Sequence, residues 1–381
     1  MDFSLSDDQK LLQDTVRRFV NERVVPNARA WDREHRFPME LMAELGELGL
    51  MGITIDPIYG GAGLTPEEVA IVVEEIAAGD GSLALTVASH NGLCGGHINL
   101  FASPEQKKKY LEPLAKAEKL GAWGLSEPGS GSDAAGMLTT AVREGDHWIL
   151  NGSKIFITQG TVGSTFVIMA VTDRAKGTRG ITAFIVEKGW AGFEQKPLKE
   201  KLGMRSSDTA ILTFDNVKVP DANRLGGEGE GFIQTLQILD RGRITIGALA
   251  VGLGRGALEA SRRYATERKQ FGKPIADFQA IQWKLADMAT ELDAARLLVQ
   301  RAAYLAARGQ PFGKEASMGK LFASEAAMRA TDQAIQIHGG YGYTAEFPVE
   351  RHYRDAKLCT IGEGTSEIQR LVISRAILKD A

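Results

Sequence analysis

Residues 147–158 read HWILNGSKIFIT, and this stretch marks where the chain changes from helical to extended structure. Apolar and polar residues alternate on both sides of Asn151-Gly152, a dipeptide typical of the type I′ turn because both of its central positions need a positive φ. We therefore predict a β-hairpin around this dipeptide. AILTFDNVKV (210–219) has the same character and predicts a second strand pair around Asp215-Asn216.

Helix-start signals precede this extended region. Ser6 and Gln9 fit a capping box ahead of an apolar face that includes Leu12 and Val16, and we expect Pro26 to end that helix. TPEE (65–68) supplies an N-cap, a proline at the first helical position and acids at the positive end of the helix dipole. SPEQ (103–106) repeats the same device, so residues 1–120 are predicted to form an N-terminal α-helical domain.

The helical period returns near Gly231 and lasts to the end of the chain. Apolar residues from Phe278 to Ala306 alternate steps of three and four, which is the seam of a helix packed in a bundle. Because the order is helices, strands and helices rather than alternating βα units, the fold class is α+β and multidomain. We predict an N-terminal helical domain at 1–120, a middle β domain at 121–230 and a C-terminal helical bundle domain at 231–381.

Composition excludes several function classes. The 381 residues are 44% hydrophobic and 24% charged with a net charge of −3, which is typical of a globular protein and gives no global attraction to nucleic acid. No apolar run reaches bilayer length, so we expect no membrane span. Cys94 and Cys359 are too few for a disulfide framework and form no metal-ligand pattern, so we predict no metal site and a reducing, cytoplasmic location.

Several motif matches fail in context. GLGRGA (252–257) matches a dinucleotide-binding string but lies in a helical stretch with no strand before it. GSGSDA (129–134) is better interpreted as a loop whose small residues let backbone N–H groups approach a flat polar ligand. No HExxH or GxSxG pattern is present, and His338 taken alone is more often a structural residue.

IGEGTSEIQRLVISRAIL (361–378) is more informative. Ser366 and Gln369 fit a capping box, and the following helix has an apolar face at Ile368, Leu371, Val372 and Ile377. Glu363 stands just before this helix between two glycines, which would let a substrate approach its carboxylate closely. By itself, an exposed loop glutamate is the commoner interpretation of such a residue.

Six strings together carry a family resemblance. They are GAWGLSEPGSGSDA (121–134), LNGSKIFITQG (150–160), KLGMRSSDTA (201–210), ERKQFGKPIADFQAIQ (267–282), QIHGGYGYTAEFPVERHYRDAK (336–357) and EGTSEIQRLVISRA (363–376). In this order they resemble the acyl-CoA dehydrogenase family over nearly the whole chain, and most of all its short- to medium-chain, butyryl-CoA dehydrogenase-like branch. The resemblance implies an α+β multidomain fold with an N-terminal helical domain, a middle β-barrel or β-sandwich domain and a C-terminal four-helix bundle, usually assembled as a homotetramer.

The resemblance also implies roles for individual residues. Glu363 matches the catalytic base. The residues that match contacts to FAD within one subunit are Trp123, Leu125, Ser126, Phe156, Thr158, Thr365 and Glu367. Those that match contacts to the FAD of a neighbouring subunit are Arg268, Gln270, Phe271, Gln279, Gln336, Ile337, His338, Gly339 and Gly340. Ser132, Asp240, Arg243 and Gly364 match positions beside the acyl-CoA.

The implied chemistry is α,β-dehydrogenation of an acyl-CoA thioester to trans-2-enoyl-CoA, as in fatty acid β-oxidation. Glu363 would take the α proton, the β hydride would pass to flavin N5, and an electron-transferring flavoprotein would collect the electrons. Gly242 occupies the position from which isovaleryl-type relatives supply their base. An acyl-CoA oxidase on the same fold and a catalytically silent flavoprotein remain alternatives, and acyl-chain length and branching are left open.

Overall fold

Helices occupy the first third of the chain in the computed structural model, which describes residues 4–379. They are α1 (Asp7–Phe19), α2 (Val25–Glu34), α3 (Leu41–Glu47), α4 (Pro66–Gly79), α5 (Gly81–Ser89), α6 (Gly96–Phe101), α7 (Pro104–Gln106) and α8 (Glu112–Ala115). Short π-helical turns at Val20–Val24, His90–Gly95 and Lys107–Leu111 join neighbouring helices. The capping box predicted at Ser6 and the N-caps predicted at Thr65 and Ser103 all form, and the structure completes the last two as capping boxes as well.

The helix that was expected to end at Pro26 continues past it. The π turn Val20–Val24 comes first, and Pro26 then occupies the first turn of α2. A proline is tolerated there because the first N–H groups of a helix have no partner within the helix. The prediction that Pro26 ends the helix was wrong for this reason.

Eight strands between Gly121 and Leu225 form one sheet. They are β1 (Gly121–Gly124), β2 (Thr140–Glu144), β3 (His147–Thr158), β4 (Thr165–Val171), β5 (Ile181–Glu187), β6 (Phe193–Pro197), β7 (Thr209–Pro220) and β8 (Arg224–Leu225). The order across the sheet is β6-β7-β3-β2-β4-β5-β8, with β1 beside β4. β1 and β2 run parallel to β4, whereas the other pairs are antiparallel.

Strand β4 is buried along its whole length because both of its faces are covered. Phe166, Ile168 and Ala170 pack into a core made by the β strands themselves. Val167 and Met169 point the other way, into a core shared with the neighbouring helices. The middle region is therefore joined to the helices by a continuous apolar contact rather than by a flexible link.

Both predicted hairpins were wrong. β3 and β7 are continuous antiparallel strands, and the turn-forming dipeptides lie opposite each other at a register shift between Leu150 and Gly152. Gly152 (φ 140°) and Asn216 (φ 52°) use their tolerance of positive φ in this irregularity, and the Asn216 N–H donates to the Asn151 side-chain oxygen at 2.8 Å. The real hairpin turn lies at Gly145 (φ 64°), between β2 and β3.

The C-terminal part is helical again, apart from a small hairpin formed by β9 (Lys269–Gln270) and β10 (Lys273–Pro274). Its helices are α9 (Gly231–Glu267), α10 (Gln279–Ala307), α11 (Gly313–His338), α12 (Val349–Cys359) and α13 (Ser366–Lys379). The predicted seam of α10 is buried at Met288, Leu292, Ala295, Val299, Ala302 and Ala306. N-terminal and C-terminal helices share one hydrophobic core, in which α4 packs against α9.

Candidate active site

Glu363 lies in the short loop between α12 and α13. It is in a left-handed backbone conformation (φ 53°) that a non-glycine residue rarely adopts, and Gly364 follows at φ 94°. The side-chain amide of Gln369 donates to the Gly364 carbonyl at 2.9 Å, and the Lys320 ammonium donates to the same oxygen. This anchored turn places the Glu363 carboxylate against α9, so Glu363 is not the exposed loop residue that its sequence context alone suggested.

The Glu363 carboxylate faces the protein interior. Its Oε2 atom is buried and has no hydrogen-bond partner among the described residues. The atom lies against Gly242 of α9, where an added Cβ would be only 1.7 Å away from it. Burial raises the pKa of Glu363 to about 7, against the opposing charges of Lys320 and Arg243. A carboxylate with this pKa is a base suited to neutral pH.

A cation and a second carboxylate stand beside Gly242. Arg243 is buried, and its guanidinium donates to the carboxylate of Asp240 and, at 3.4 Å, to the hydroxyl of Ser317. Burial lowers the pKa of Arg243, although a guanidinium stays protonated in proteins. The structure thus brings Asp240, Arg243 and Gly364, three of the four predicted substrate residues, to the neighbourhood of Glu363. Ser132, the fourth, is exposed in the loop after β1.

The cap of α13 differs from the prediction. Thr365, rather than Ser366, receives the capping hydrogen bond, from the Ile368 N–H at 3.4 Å. Ser366 lies inside the helix and is buried, as is Gln369. Gln369 is drawn away from a capping role by its bond to Gly364, so the predicted capping box was wrong. Much of the predicted apolar face is open in the single chain, with Leu371 and Ile377 exposed, as is Glu367.

One group of predicted flavin contacts assembles where the loop after β1 meets β3. The Ile155 N–H donates to the Ser126 carbonyl at 2.9 Å, and buried Lys154 donates to the Leu125 carbonyl at 3.1 Å. These bonds place Trp123, Leu125 and Ser126 next to the end of β3 that carries Phe156 and Thr158. Phe156 is in a left-handed conformation (φ 60°) with 65% of its surface exposed.

Phe156 combines backbone strain, which is concentrated at ligand and active sites, with an exposed aromatic ring. It fits a flat aromatic ring stacked against it. The residues of this group therefore fit the isoalloxazine of a flavin.

Trp123 is held by a series of buried hydrogen bonds that the sequence did not reveal. Its indole N–H donates to His97 Nδ1 at 3.0 Å, and His97 Nε2 lies 2.9 Å from the side-chain oxygen of Gln234. Because Nδ1 accepts, Nε2 must carry the proton and donate to Gln234. Burial lowers the pKa of His97 to about 4, so the ring is neutral and its tautomer is fixed by its two partners.

The second group of predicted contacts lines a separate cleft of about 550 Å³. Its walls include Arg268, Gln270 and the run Ile337–Gly340. His338 stacks on Tyr264 with ring centroids 4.3 Å apart, and its Nε2 atom is buried without a partner among the described residues. Phe271, Gln279 and Gln336 are exposed around this region.

The cleft of Arg268 is far from the Glu363 site along α9. Arg268 follows the end of this helix, and Gly242, which faces Glu363, lies in its first third. At a rise of ~1.5 Å per residue, these positions are separated by roughly 40 Å along the helix. That this cleft meets the FAD of a neighbouring subunit stays a prediction of the family resemblance.

Known proteins resemble this chain along almost its whole length. The acyl-CoA dehydrogenase N-terminal, middle and C-terminal domains match residues 6–118, 122–217 and 229–378. The short-chain specific acyl-CoA dehydrogenase of Clostridium acetobutylicum is 48% identical, with 100% of each chain covered. The chain belongs to the acyl-CoA dehydrogenase family. Members of this family are FAD-dependent oxidoreductases.

Two solved structures extend the comparison. Butyryl-CoA dehydrogenase from Megasphaera elsdenii superposes with a TM-score of 0.97 at 43% identity, covering 99% of this chain and 100% of that one. A chain in the solved structure of the electron transferring flavoprotein of Acidaminococcus fermentans gives a TM-score of 0.98 at 45% identity, with complete coverage of both chains. Both confirm the three-part acyl-CoA dehydrogenase fold.

Two further features of residues 4–379 concern membranes and metal ions. No helix in that range is both long enough and apolar enough to cross a bilayer. Over the same range, no three His, Cys, Asp or Glu side chains are grouped so as to hold a metal ion.

Sequence reasoning missed the residues that support the site. Lys320 and Gln369 hold the turn of Glu363, and His97 and Lys154 support the loop after β1. A signal for Lys320 was available, because it is a lone lysine among small residues in ASMGKLFASEAA (316–327), which is typical of a closely packed helix face. Nothing in the sequence pairs His97 with Trp123 or Lys154 with Glu127.

Proposed function

We propose that this acyl-CoA dehydrogenase removes hydrogen from the α and β carbons of a short-chain acyl-CoA, with Glu363 as the base that takes the α proton. The observation that carries the proposal is the buried Oε2 of Glu363, which has no hydrogen-bond partner within residues 4–379 and faces the bare backbone of Gly242. An unpaired carboxylate oxygen is costly to bury, so its retention beside open backbone is consistent with a reacting group.

Three groups of residues have separate roles in the proposed reaction. Glu363 accepts the α proton through a carboxylate whose basicity rises further when an apolar acyl chain displaces water. Asp240 and Arg243 form a fixed polar pair beside it, which supports a role in orienting the CoA thioester. The exposed ring of Phe156 would provide the surface on which the cofactor stacks, with Thr158 and the loop of Trp123, Leu125 and Ser126 beside it. When bound, FAD supplies the acceptor for the hydride that leaves the β carbon.

The proposals for the substrate class and the electron acceptor rest on the names of related proteins. The names of the relatives from Clostridium acetobutylicum and Megasphaera elsdenii support a short straight acyl chain, with butyryl-CoA as the first choice. The likeness to a chain in the Acidaminococcus fermentans structure supports an electron transferring flavoprotein as partner. A homotetramer is part of the proposal, because the family resemblance implies that the cleft of Arg268 meets the cofactor of another chain.

Anaerobic flavin reduction tests this proposal. The purified flavoprotein is mixed with butyryl-, isobutyryl-, octanoyl- and palmitoyl-CoA, and bleaching of the flavin absorbance is followed. We expect the fastest bleaching with butyryl-CoA and reoxidation by an electron transferring flavoprotein. Bleaching by none of the four would contradict acyl-CoA dehydrogenation, and rapid reoxidation by oxygen alone would favour an oxidase.

A further inference from the structure

Lys320 is a buried cation at the centre of the C-terminal bundle. Only 1% of its surface is exposed. Glycines permit the close helix packing around it: a Cβ on Gly319 would lie 3.3 Å from the backbone of Val299 in α10, and one on Gly247 of α9 would lie 3.6 Å from the Lys320 backbone. A buried ammonium is costly unless other groups compensate for its lost hydration. Its surroundings therefore indicate what it does.

The groups around Lys320 are the turn and the carboxylate of the proposed base. Its Nζ donates to the carbonyl of Gly364, the residue after Glu363. Within the described part of the chain it makes no salt bridge to a carboxylate, although it is close enough to Glu363 for the two charges to interact. The site thus contains a cation and a carboxylate that are near each other but form no salt bridge, because the Lys320 ammonium bonds to the Gly364 carbonyl instead.

The other charged groups near Glu363 are already engaged or neutral. Arg243, from α9, is the second cation, but it is bound to the carboxylate of Asp240. Cys359, at the end of α12, is buried, and burial raises the pKa of its thiol to about 12, so it stays neutral. Asp355, one turn earlier in α12, faces Cys359, and burial raises its pKa to about 7. Lys320 is left as the cation whose charge has no other carboxylate partner among these groups.

We infer that Lys320 is a positioning residue for the base: it fixes the left-handed turn of Glu363 through the Gly364 carbonyl and supplies the positive charge that keeps the Glu363 carboxylate ionised. This inference rests on the proposed function, since it assigns a supporting role for the same proton transfer. Burial raises the pKa of Glu363 and Lys320 opposes that rise, so the lysine charge widens the pH range in which the base is active.

Three variants separate the two parts of this role. Lys320→Met removes both the charge and the donor, Lys320→Arg keeps a cation, and Gln369→Leu removes the other donor to the Gly364 carbonyl without changing any charge. The measurement is the second-order rate of anaerobic flavin reduction by butyryl-CoA as a function of pH, because its acid limb reports the pKa of the base in the free enzyme.

With Lys320→Met, we expect the acid limb to move to higher pH by about one unit or more, as loss of a nearby opposite charge predicts. Lys320→Arg is expected to return the acid limb most of the way to its wild-type pH, because it keeps a cation at this position. Gln369→Leu is expected to slow the reaction without moving the limb. An unmoved limb in Lys320→Met, or an equal shift in Gln369→Leu, would overturn the inference.

A stability cycle gives a second readout that needs no activity. The thermal midpoints of Lys320→Met, Glu363→Gln and the double variant are compared at pH 7.5. This pH lies above the pKa of Glu363, about 7, and below the pKa of Lys320, which burial lowers to about 8. We expect the double variant to be less destabilised than the sum of the single variants, because Glu363→Gln removes the charge that Lys320→Met leaves uncompensated. If Lys320→Met does not fold, Lys320→Gln replaces it, since glutamine keeps a donor for Gly364. Additive changes would contradict the inference.

Different results would contradict the proposed function and the role of Lys320. Glu363→Gln that still bleaches at the wild-type rate would remove the proposed base and with it the proposed function. An inactive Glu363→Gln together with an unmoved pH limb in Lys320→Met would leave the base in place and remove only the role of Lys320.

Discussion

A single methyl group at Gly242 should displace the base. In Gly242→Ala the new Cβ would lie 1.7 Å from Glu363 Oε2, whereas ordinary contacts of a Cβ begin near 3.4 Å. The carboxylate must therefore move by roughly 1.5 Å, and a misplacement of about 1 Å can cost on the order of a hundredfold in rate. We expect flavin reduction by butyryl-CoA to slow by about two orders of magnitude or more.

Stability should not explain that loss, because alanine favours a helix interior by roughly 1 kcal/mol over glycine. The assay is anaerobic stopped-flow reduction, with flavin content and thermal midpoint measured on the same samples. Gly362→Ala is the matched control: its Cβ would meet only Leu358, at 3.6 Å, and should leave the rate within a few-fold of wild type. A Gly242→Ala protein with full flavin content and a rate near wild type would refute the placement of Glu363 against α9.

Three further predictions follow from other parts of the structure. Arg268→Ala should lose FAD on dilution and gel filtration, because a cationic partner at the shared cleft is removed; full flavin content after both steps would contradict that role. Lys154→Met should lower the free energy of unfolding by about 3–5 kcal/mol in urea titrations, because it leaves the buried carboxylate of Glu127 without its partner. Burial raises the pKa of Asp355 to about 7, so the folded state holds a proton that the unfolded state has lost, and the resulting stability disappears as pH rises from about 4 to about 7. Asp355→Asn should therefore have a higher thermal midpoint than wild type at pH 8 and little advantage at pH 5; an equal difference at both values would contradict this.

The order of helices, strands and helices was predictable because it depends on local periodicity. The capping boxes at Ser6, Thr65 and Ser103 formed for the same reason, since each needs only residues three positions apart. The helix α10 was predictable from its long apolar seam. These features are decided within one or two turns of chain.

The errors came where distant contacts override a local preference. Asn151-Gly152 has the chemistry of a turn, but its strand pairs along its length with β7, and the positive φ is used at a register shift instead. Ser366 has the chemistry of an N-cap, but Gln369 is engaged by the turn of Glu363. A local pattern shows which conformations a residue tolerates, and the tertiary partners select among them.

The candidate site could be anticipated in part. The resemblance supplied Glu363, Asp240 and Arg243, and the structure brings them together although Glu363 lies more than a hundred residues from the other two in the chain. Lys320 and His97 could not be assigned from sequence, because their partners are a backbone carbonyl and an indole N–H brought close only by packing. A side chain that hydrogen-bonds to the backbone, or to a side chain distant in sequence, gives no recognisable sequence pattern.

The most direct test of Glu363 as the base is a comparison of wild type with Glu363→Gln, which keeps the shape of the side chain and removes its proton acceptor. Both proteins are mixed anaerobically with butyryl-CoA while the flavin absorbance and ligand binding are recorded. We expect both to bind the ligand, wild type to bleach with a rate that rises with pH through about 7, and Glu363→Gln to remain oxidised. Bleaching of Glu363→Gln at a rate near that of wild type would contradict the account.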